Sequence, residues 1–252
     1  MGDLRSVLQG LSVDTVTLAP LTEEGIDGIY TLIVPSKDAL MLWRRLCDAV
    51  LQTGHWPVFL GGKDDLARHR EQVEDALEQT PAQIIREGLA LDPSVWLAAQ
   101  KAEQFADDHD EDSEDYHGEW PQKEQASHEL SIIRDFSGLL KPTFYLGLVP
   151  AMQSWEIPAH LKIGGWNDCP SSEIHVSLMK RWAETYGAEI VCATHDVVEM
   201  QVSRPPTTRE AALELAEEQF SYCYDIVGQG TETLERLAAS LLNGTVWYFW
   251  WD

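Results

Sequence analysis

The chain has 252 residues, enough to bury roughly three quarters of the surface that its unfolded form exposes, as one large domain or two small ones. Its 42 acidic and 18 basic residues leave a net charge of −24, which repels phosphate backbones and anionic lipids and argues against nucleic-acid binding. Cys47, Cys169, Cys192 and Cys223 stand far apart with no C-x-x-C pair, so neither a disulfide framework nor a cysteine zinc site is expected, and free thiols suit a reducing cytoplasm.

Leu4–Leu11 reads as a short amphipathic helix and Val13–Leu18 as an edge strand; the opening residues lack a basic stretch followed by an apolar run, and no membrane-length apolar run follows anywhere, so neither export nor a membrane span is expected. Gly28–Val34 is a β-branched strand that stops at Pro35. Ser36 then offers an N-cap to a helix with Leu40, Trp43, Cys47, Val50 and Leu51 on its inner stripe, closed by Gly54. His55–Leu60 is a second strand and Gly61-Gly62 its turn, so strand, helix and strand follow one another as a β-α-β unit with parallel strands. Helices are expected from Asp64 to Gln79, from Pro81 to a stop at Gly88, and from Pro93 to Phe105.

From Glu103 to Glu129 there are eleven acids against one base, Lys123, and apolar periodicity disappears between Asp107 and Gln125. This stretch is expected to be a solvated loop, with Trp120 docked on the body to tie it down. It sets the expected boundaries: an N-terminal α/β lobe over 1–105, an acidic linker or loop over 106–142 and a C-terminal domain over 143–252.

In that last part Thr143–Val149 is a strand. The turn Gly164-Gly165 leads to a helix whose cap is expected at Asn167 or Asp168, with Pro170 in its first turn and Ile174, Leu178, Trp182 and Tyr186 on its buried face. Ala188–Thr194 and Val197–Val202 form an antiparallel hairpin joined at His195-Asp196; Val198, Met200 and Val202 are expected on its dry face and Glu199, Gln201 and Ser203 on a wet one. Thr207 with Glu210 resembles a capping box for a helix over 207–223, and another helix capped near Thr231 follows. The final Val246-Trp247-Tyr248-Phe249-Trp250-Trp251-Asp252 is expected to be a core strand at the centre of the sheet, with Trp247, Phe249 and Trp251 on one face and Val246, Tyr248 and Trp250 on the other.

The run Gly164-Gly165-Trp166-Asn167, x, Cys169-Pro170, then Arg181-Trp182, Tyr186-Gly187-Ala188-Glu189, His195-Asp196, Arg204-Pro205-Pro206-Thr207, Tyr222-Cys223, Asp225-Ile226-Val227, Gln229-Gly230 and the terminal aromatic run resembles the bacterial domain-of-unknown-function 4253 family over about Leu148–Asp252. The resemblance implies a shared fold and a cytoplasmic bacterial setting, and it assigns no reaction.

Several residues carry potential chemistry. The Gly164-Gly165 turn invites an anion, but it matches no phosphate-loop pattern and Asp168 would oppose one. Cys169 with His175 or His195 has the makings of a thiol–imidazole pair, against the simpler reading of Cys169 as a buried hydrophobe. His195-Asp196 suits acid–base work or a turn held by the aspartate, with Asp168, His175 and Asp225 as further members of a site. His109, His117 and His128 in the acidic stretch have no metal-ligand spacing, so no metal and no cofactor are expected. G-x-S-x-G is absent from the sequence.

The sequence therefore predicts an α/β or α+β protein: a mixed β-sheet flanked by helices, with the aromatic strand central and an N-terminal β-α-β lobe. Two functions of different class are expected from it. One is a non-catalytic acidic module that binds a basic protein, of an immunity or inhibitor type. The other is an enzyme or small-ligand-binding protein with Trp166, Asn167, Asp168, His175, His195, Asp196 and Asp225 lining a cleft between the lobes.

Overall fold

The computed structural model describes residues 4–23, 25, 27–76, 78–104, 116–123, 125–131 and 141–252. Before the acidic stretch come α1 (Leu4–Gly10), β1 (Ala19–Pro20), β2 (Tyr30–Pro35), α2 (Ser36–Asp48), α3 (Val50–Thr53), β3 (Trp56–Phe59), α4 (Lys63–Asp75), α5 (Pro81–Ala90) and α6 (Pro93–Gln104). After it come β4 (Thr143–Val149), α7 (Ile157–Leu161), α8 (Ser172–Tyr186), β5 (Ala188–Ala193), β6 (Val197–Val202), α9 (Arg209–Tyr222), α10 (Leu234–Leu241) and β7 (Val246–Trp250).

The seven strands among the described residues form one mixed sheet in the order β1-β2-β4-β3-β5-β6-β7. The expected β-α-β unit exists in a modified form. β2 and β3 each pair antiparallel with β4 and so run parallel to one another, with β4 seated between them. β3 also pairs parallel with β5, Phe59 opposite Cys192, while the remaining neighbours are antiparallel. Strand alternation then feeds two cores. Phe59, Phe144, Leu146 and Val191 pack with Trp43 and Leu46 of α2 on one face. Val58, Ile190, Met200 and Phe249 pack with Trp182, Leu215 and Leu237 of α8, α9 and α10 on the other.

The aromatic strand is not central. β7 is the last strand in the order and pairs with β6 alone. One dry face is enough to hold it there: Trp247, Phe249 and Trp251 are buried, while Tyr248 on the reverse is 42% exposed. The Trp182 ring stacks on Phe249 at 5.5 Å between centroids and Tyr222 meets Phe249 edge-on at 4.9 Å. Such pairs add about 0.5–1.5 kcal/mol each beyond the area they bury. The outer margin is occupied at both ends, since the N–H groups of Thr245 and Val246 donate to Ser127 O and the Cys223 thiol to Trp250 O.

Other departures from the sequence reading have local causes. Glu199, expected on a wet face, is 1% exposed because the segment before 132 lies over it and Ser131 N donates to its carboxylate at 2.6 Å. Gly88 does not end α5 but lies inside it, where a side chain would come within 2.7 Å of the Glu173 carbonyl; the glycine lets α5 and α8 approach closely. The edge strand near the N-terminus falls on Ala19–Pro20. α8 starts after Ser171, because Asn167 and Asp168 belong to a turn in which Gly165 N donates to the carbonyls of Cys169 and Pro170. α9 is capped by Thr208, whose hydroxyl accepts from Ala211 N, and α10 by Thr233, since residues Ile226–Thr231 wind into a π turn that uses Thr231. Pro35, not Ser36, is the cap of α2.

The described part of the acidic stretch is docked. Gly118 N donates to Glu235, Leu234 N to Tyr116 O, and Arg209 lies 4.6 Å over the Trp120 ring. Residues 107–115, with His109, lie outside the described residues. Among the described residues no helix is long and apolar enough to cross a membrane.

Candidate functional site

Because β3 and β5 run parallel side by side, their carboxyl ends open on the same end of the sheet, the position where open α/β sheets place ligands. The chain leaves β3 through Gly61-Gly62 into α4. Gly61 has φ +81°, and a side chain there would collide with the Asp65 carboxylate, whose Oδ2 accepts from Gly62 N at 2.8 Å. The chain leaves β5 through Thr194-His195-Asp196. The Thr194 hydroxyl donates to Asp196 Oδ1 at 2.8 Å and accepts from Val197 N at 3.0 Å, so this tip is tied on both sides.

These two turns bring three side chains together. His195 Nδ1 lies 3.1 Å from Asp65 Oδ1 and 3.3 Å from Asp196 Oδ1, and each of the three side chains is 25–29% exposed. One imidazole N–H donates to one acceptor well, so the two carboxylates compete for it. Neither makes an ion pair with a lysine or arginine among the described residues.

Beside them opens a cavity of about 780 Å³. His195 and Asp196 form one part of its lining, Trp166, Trp250 and Trp251 an aromatic part, and Arg68 an exposed cation from α4. Lys162 also faces it, in a left-handed conformation, with Nζ donating to Gln79 O; burial lowers its pKa. The aromatic strand positions this lining directly, since Trp251 N donates to the Asp196 carbonyl at 3.1 Å. Behind the tip His69 is fully buried, its Nε2 donating to Ala193 O at 2.9 Å, and burial pushes its pKa down to about 4, so it stays neutral.

The seven sequence candidates do not share one pocket. Trp166, His195 and Asp196 line the cavity. Asn167 and Asp168 line a separate pocket of about 410 Å³ with Trp96 and Tyr224. Asp225 lines a third, and with Asn167 it serves as a tether: Asn167 Nδ2 donates to Asp252 O at 2.7 Å and Asp225 Oδ2 accepts from Asp252 N at 3.0 Å. His175 is in the core at 0% exposure, with Nδ1 paired to Tyr222 OH at 2.6 Å and Nε2 3.5 Å from the Cys169 thiol. Burial lowers the His175 pKa to about 3 and raises that of Cys169, so this pair is a neutral imidazole and a neutral thiol, not an activated nucleophile. His117 pairs with Glu235 and His128 with Thr245, well apart from one another in role.

Asp65 escaped sequence reasoning. Its signal was a carboxylate three residues after a Gly-Gly turn at a strand end, a common capping arrangement that says nothing of a histidine 130 residues later.

The fold and site together define a mixed α/β protein with an acid–imidazole cluster and an aromatic-walled cleft at the carboxyl ends of a parallel strand pair. Residues 145–252 match the family model described as "Domain of unknown function (DUF4253)", so this C-terminal part carries that domain. The matched span holds Trp166, His195, Asp196, Trp250 and Trp251, while Asp65 and Arg68 come from outside it. No curated protein and no solved structure matches the chain.

Proposed function

We propose that the protein binds a small organic ligand in the cleft beside His195. The supporting observation is the convergence of Asp65, His195 and Asp196 at the edge of a cavity of about 780 Å³ walled by Trp166, Trp250 and Trp251. Stacking on tryptophan favours a planar aromatic ligand, and Arg68 offers one point for an anionic substituent in a lining that also carries Glu71, Asp75, Asp196 and Asp252. Titration with planar aromatic anions, from benzoate to nucleoside monophosphates, followed by tryptophan fluorescence, tests this. Saturable quenching that Trp166→Ala weakens and Trp96→Ala leaves alone is expected; equal effects of the two variants would remove the cleft from consideration.

A second reading rests on the net charge of −24: a non-catalytic module that recognises a basic protein, of an immunity or inhibitor type, in a cytoplasmic bacterial setting consistent with four free cysteines. Capture from the source cell at low salt is expected to retain a basic partner that is released as salt rises past the range where the screening length is about 8–10 Å. Recovery that is indifferent to salt would count against it.

A further inference from the structure

We infer that Asp65, His195 and Asp196 bind one divalent cation, Zn²⁺ or Mn²⁺, at the head of the cleft; the inference deepens the small-ligand reading and rests on it. Each of the three residues offers a donor atom, and these atoms all lie within 4.8 Å of one another. The imidazole–carboxylate separations of 3.1 and 3.3 Å match the edge of a coordination polyhedron, about 3.0–3.4 Å for metal–ligand bonds of about 2.1 Å. Two carboxylates and one imidazole suit a borderline cation better than a soft one, and three protein ligands on one side leave the cleft side open for water or a ligand oxygen.

Charge leads to the same assignment. Two carboxylates held this close repel each other, and among the described residues no lysine or arginine pairs with either; one shared imidazole N–H, the Gly62 N–H on Asp65 and the Thr194 hydroxyl on Asp196 offset them only in part. A divalent ion at their common centre removes that repulsion. A separate observation comes from the layer behind. His69 follows Asp65 by one helical turn and holds the end of the strand that carries His195 through Ala193 O, and its Nδ1 is a buried lone pair with no hydrogen-bond partner. A buried imidazole nitrogen without a partner is uncommon in a protein interior, and His69 fixes from behind the backbone of the strand end that carries His195.

Isothermal titration calorimetry of the full chain with ZnCl₂ and with MnCl₂ tests the assignment. One equivalent is expected to bind, weakened by about a hundred-fold or more in Asp196→Asn and in His195→Gln and unchanged in Asp225→Asn, with circular dichroism melts confirming that each variant is folded. Electron spin-echo spectroscopy of the Mn²⁺ form of the unaltered chain is expected to detect coupling to one imidazole nitrogen, a readout that does not depend on any variant folding. Absence of saturable binding up to millimolar metal, binding that survives both substitutions, or a Mn²⁺ signal without nitrogen coupling would each overturn the assignment. Trp166→Ala is expected to weaken aromatic-anion binding and to leave the cation in place. Cation binding without any aromatic binding would therefore sink only the small-ligand reading, and the converse would sink only this one.

Discussion

The aromatic layer between α8 and β7 and the cleft at the ends of β3 and β5 lie back to back, share Trp251, and treat the same residue type in opposite ways. In the layer, His175 is fully buried among Tyr222, Trp251 and Cys169, and burial keeps it neutral with a pKa of about 3. In the cleft, His195 is half-buried between two carboxylates and beside open space. The difference teaches that the layer is built as closed packing and the cleft as an open cluster of polar groups, with dependence running one way. The Trp251 N–H holds the Asp196 carbonyl, so damage to the layer reaches the cleft, whereas the layer has no need of His195. Substitutions that respect or violate this asymmetry test it.

The largest effect is expected at Phe249, which stacks against Trp182 with the rings 1° from parallel and also meets Tyr222 and Trp251. Phe249→Ala removes a buried ring from a layer that cannot collapse around the gap, a loss of about 3–5 kcal/mol measured by urea unfolding. Ligand and cation binding in the cleft should fall with it. If stability fell while both kinds of binding stayed at the level of the unaltered chain, the one-way dependence would be wrong.

The next effect separates the two histidines by pH. Tyr222→Phe leaves the His175 Nδ1 buried without its partner at 2.6 Å and is expected to cost about 1–3 kcal/mol. The folded-state pKa of His175, about 3, lies below its ordinary value of 6.5. Between these values the unfolded chain holds a proton that the folded chain lacks. The stabilising contribution is complete above about pH 6.5 and is lost as pH falls toward 3, at up to about 1.4 kcal/mol per pH unit. Urea midpoints measured from pH 7 to pH 5 should decline less steeply in His175→Asn than in the unaltered chain; identical slopes would mean that His175 is already protonated when folded.

Much of the layer was legible in sequence, and little of the cleft was. Period-2 alternation in Val198, Met200 and Val202 and the 3.6-residue spacing of Leu178, Trp182 and Tyr186 are local signals, and the hairpin and α8 formed where those signals put them. The aromatic run announced burial correctly through Trp247, Phe249 and Trp251, but sequence has no marker for the place of a strand in a sheet, and an edge strand with one dry face reads much like a central one. Glu199 was misread because the segment that covers it lies 68 residues away. The cleft is non-local throughout: Asp65 and His195 are joined only because β4 enters between β2 and β3 and β5 then settles beside β3. His195-Asp196 stood out as a pair, whereas Asn167, Asp225 and His175, singled out for the same chemistry, turned out to tether Asp252 or to pack in the core.

A smaller effect is expected where the two halves of the chain meet away from both regions. In Gly88→Ala the new methyl would sit 2.7 Å from the Glu173 carbonyl and 2.8 Å from Val176 Cγ1, forcing α5 off α8. Overpacking by a single methyl falls at the low end of the usual range, about 1 kcal/mol. Because α8 also carries Trp182, thermal melts of Gly88→Ala should show a lowered midpoint with cleft binding retained, since α5 contributes nothing to the lining. Loss of binding here would mean that strain in α8 travels to the cleft without first unfolding the layer.

The smallest effect is expected at His195 itself, and it is the sharpest test of the comparison. In His195→Gln, Asp65 keeps the Gly62 N–H at 2.8 Å and Asp196 keeps the Thr194 hydroxyl at 2.8 Å. All three side chains reach solvent, so water replaces much of what the imidazole gave. Stability should change by no more than about 0.5 kcal/mol in metal-free buffer, the range of substitutions away from packed features. The same substitution at His175 would leave a hole lined by Tyr222, Trp251 and Cys169, so the two histidines should differ several-fold in their cost. Parallel urea titrations of the two variants measure that ratio directly; costs of similar size would make His195 a structural residue and take the cleft's chemistry away from it.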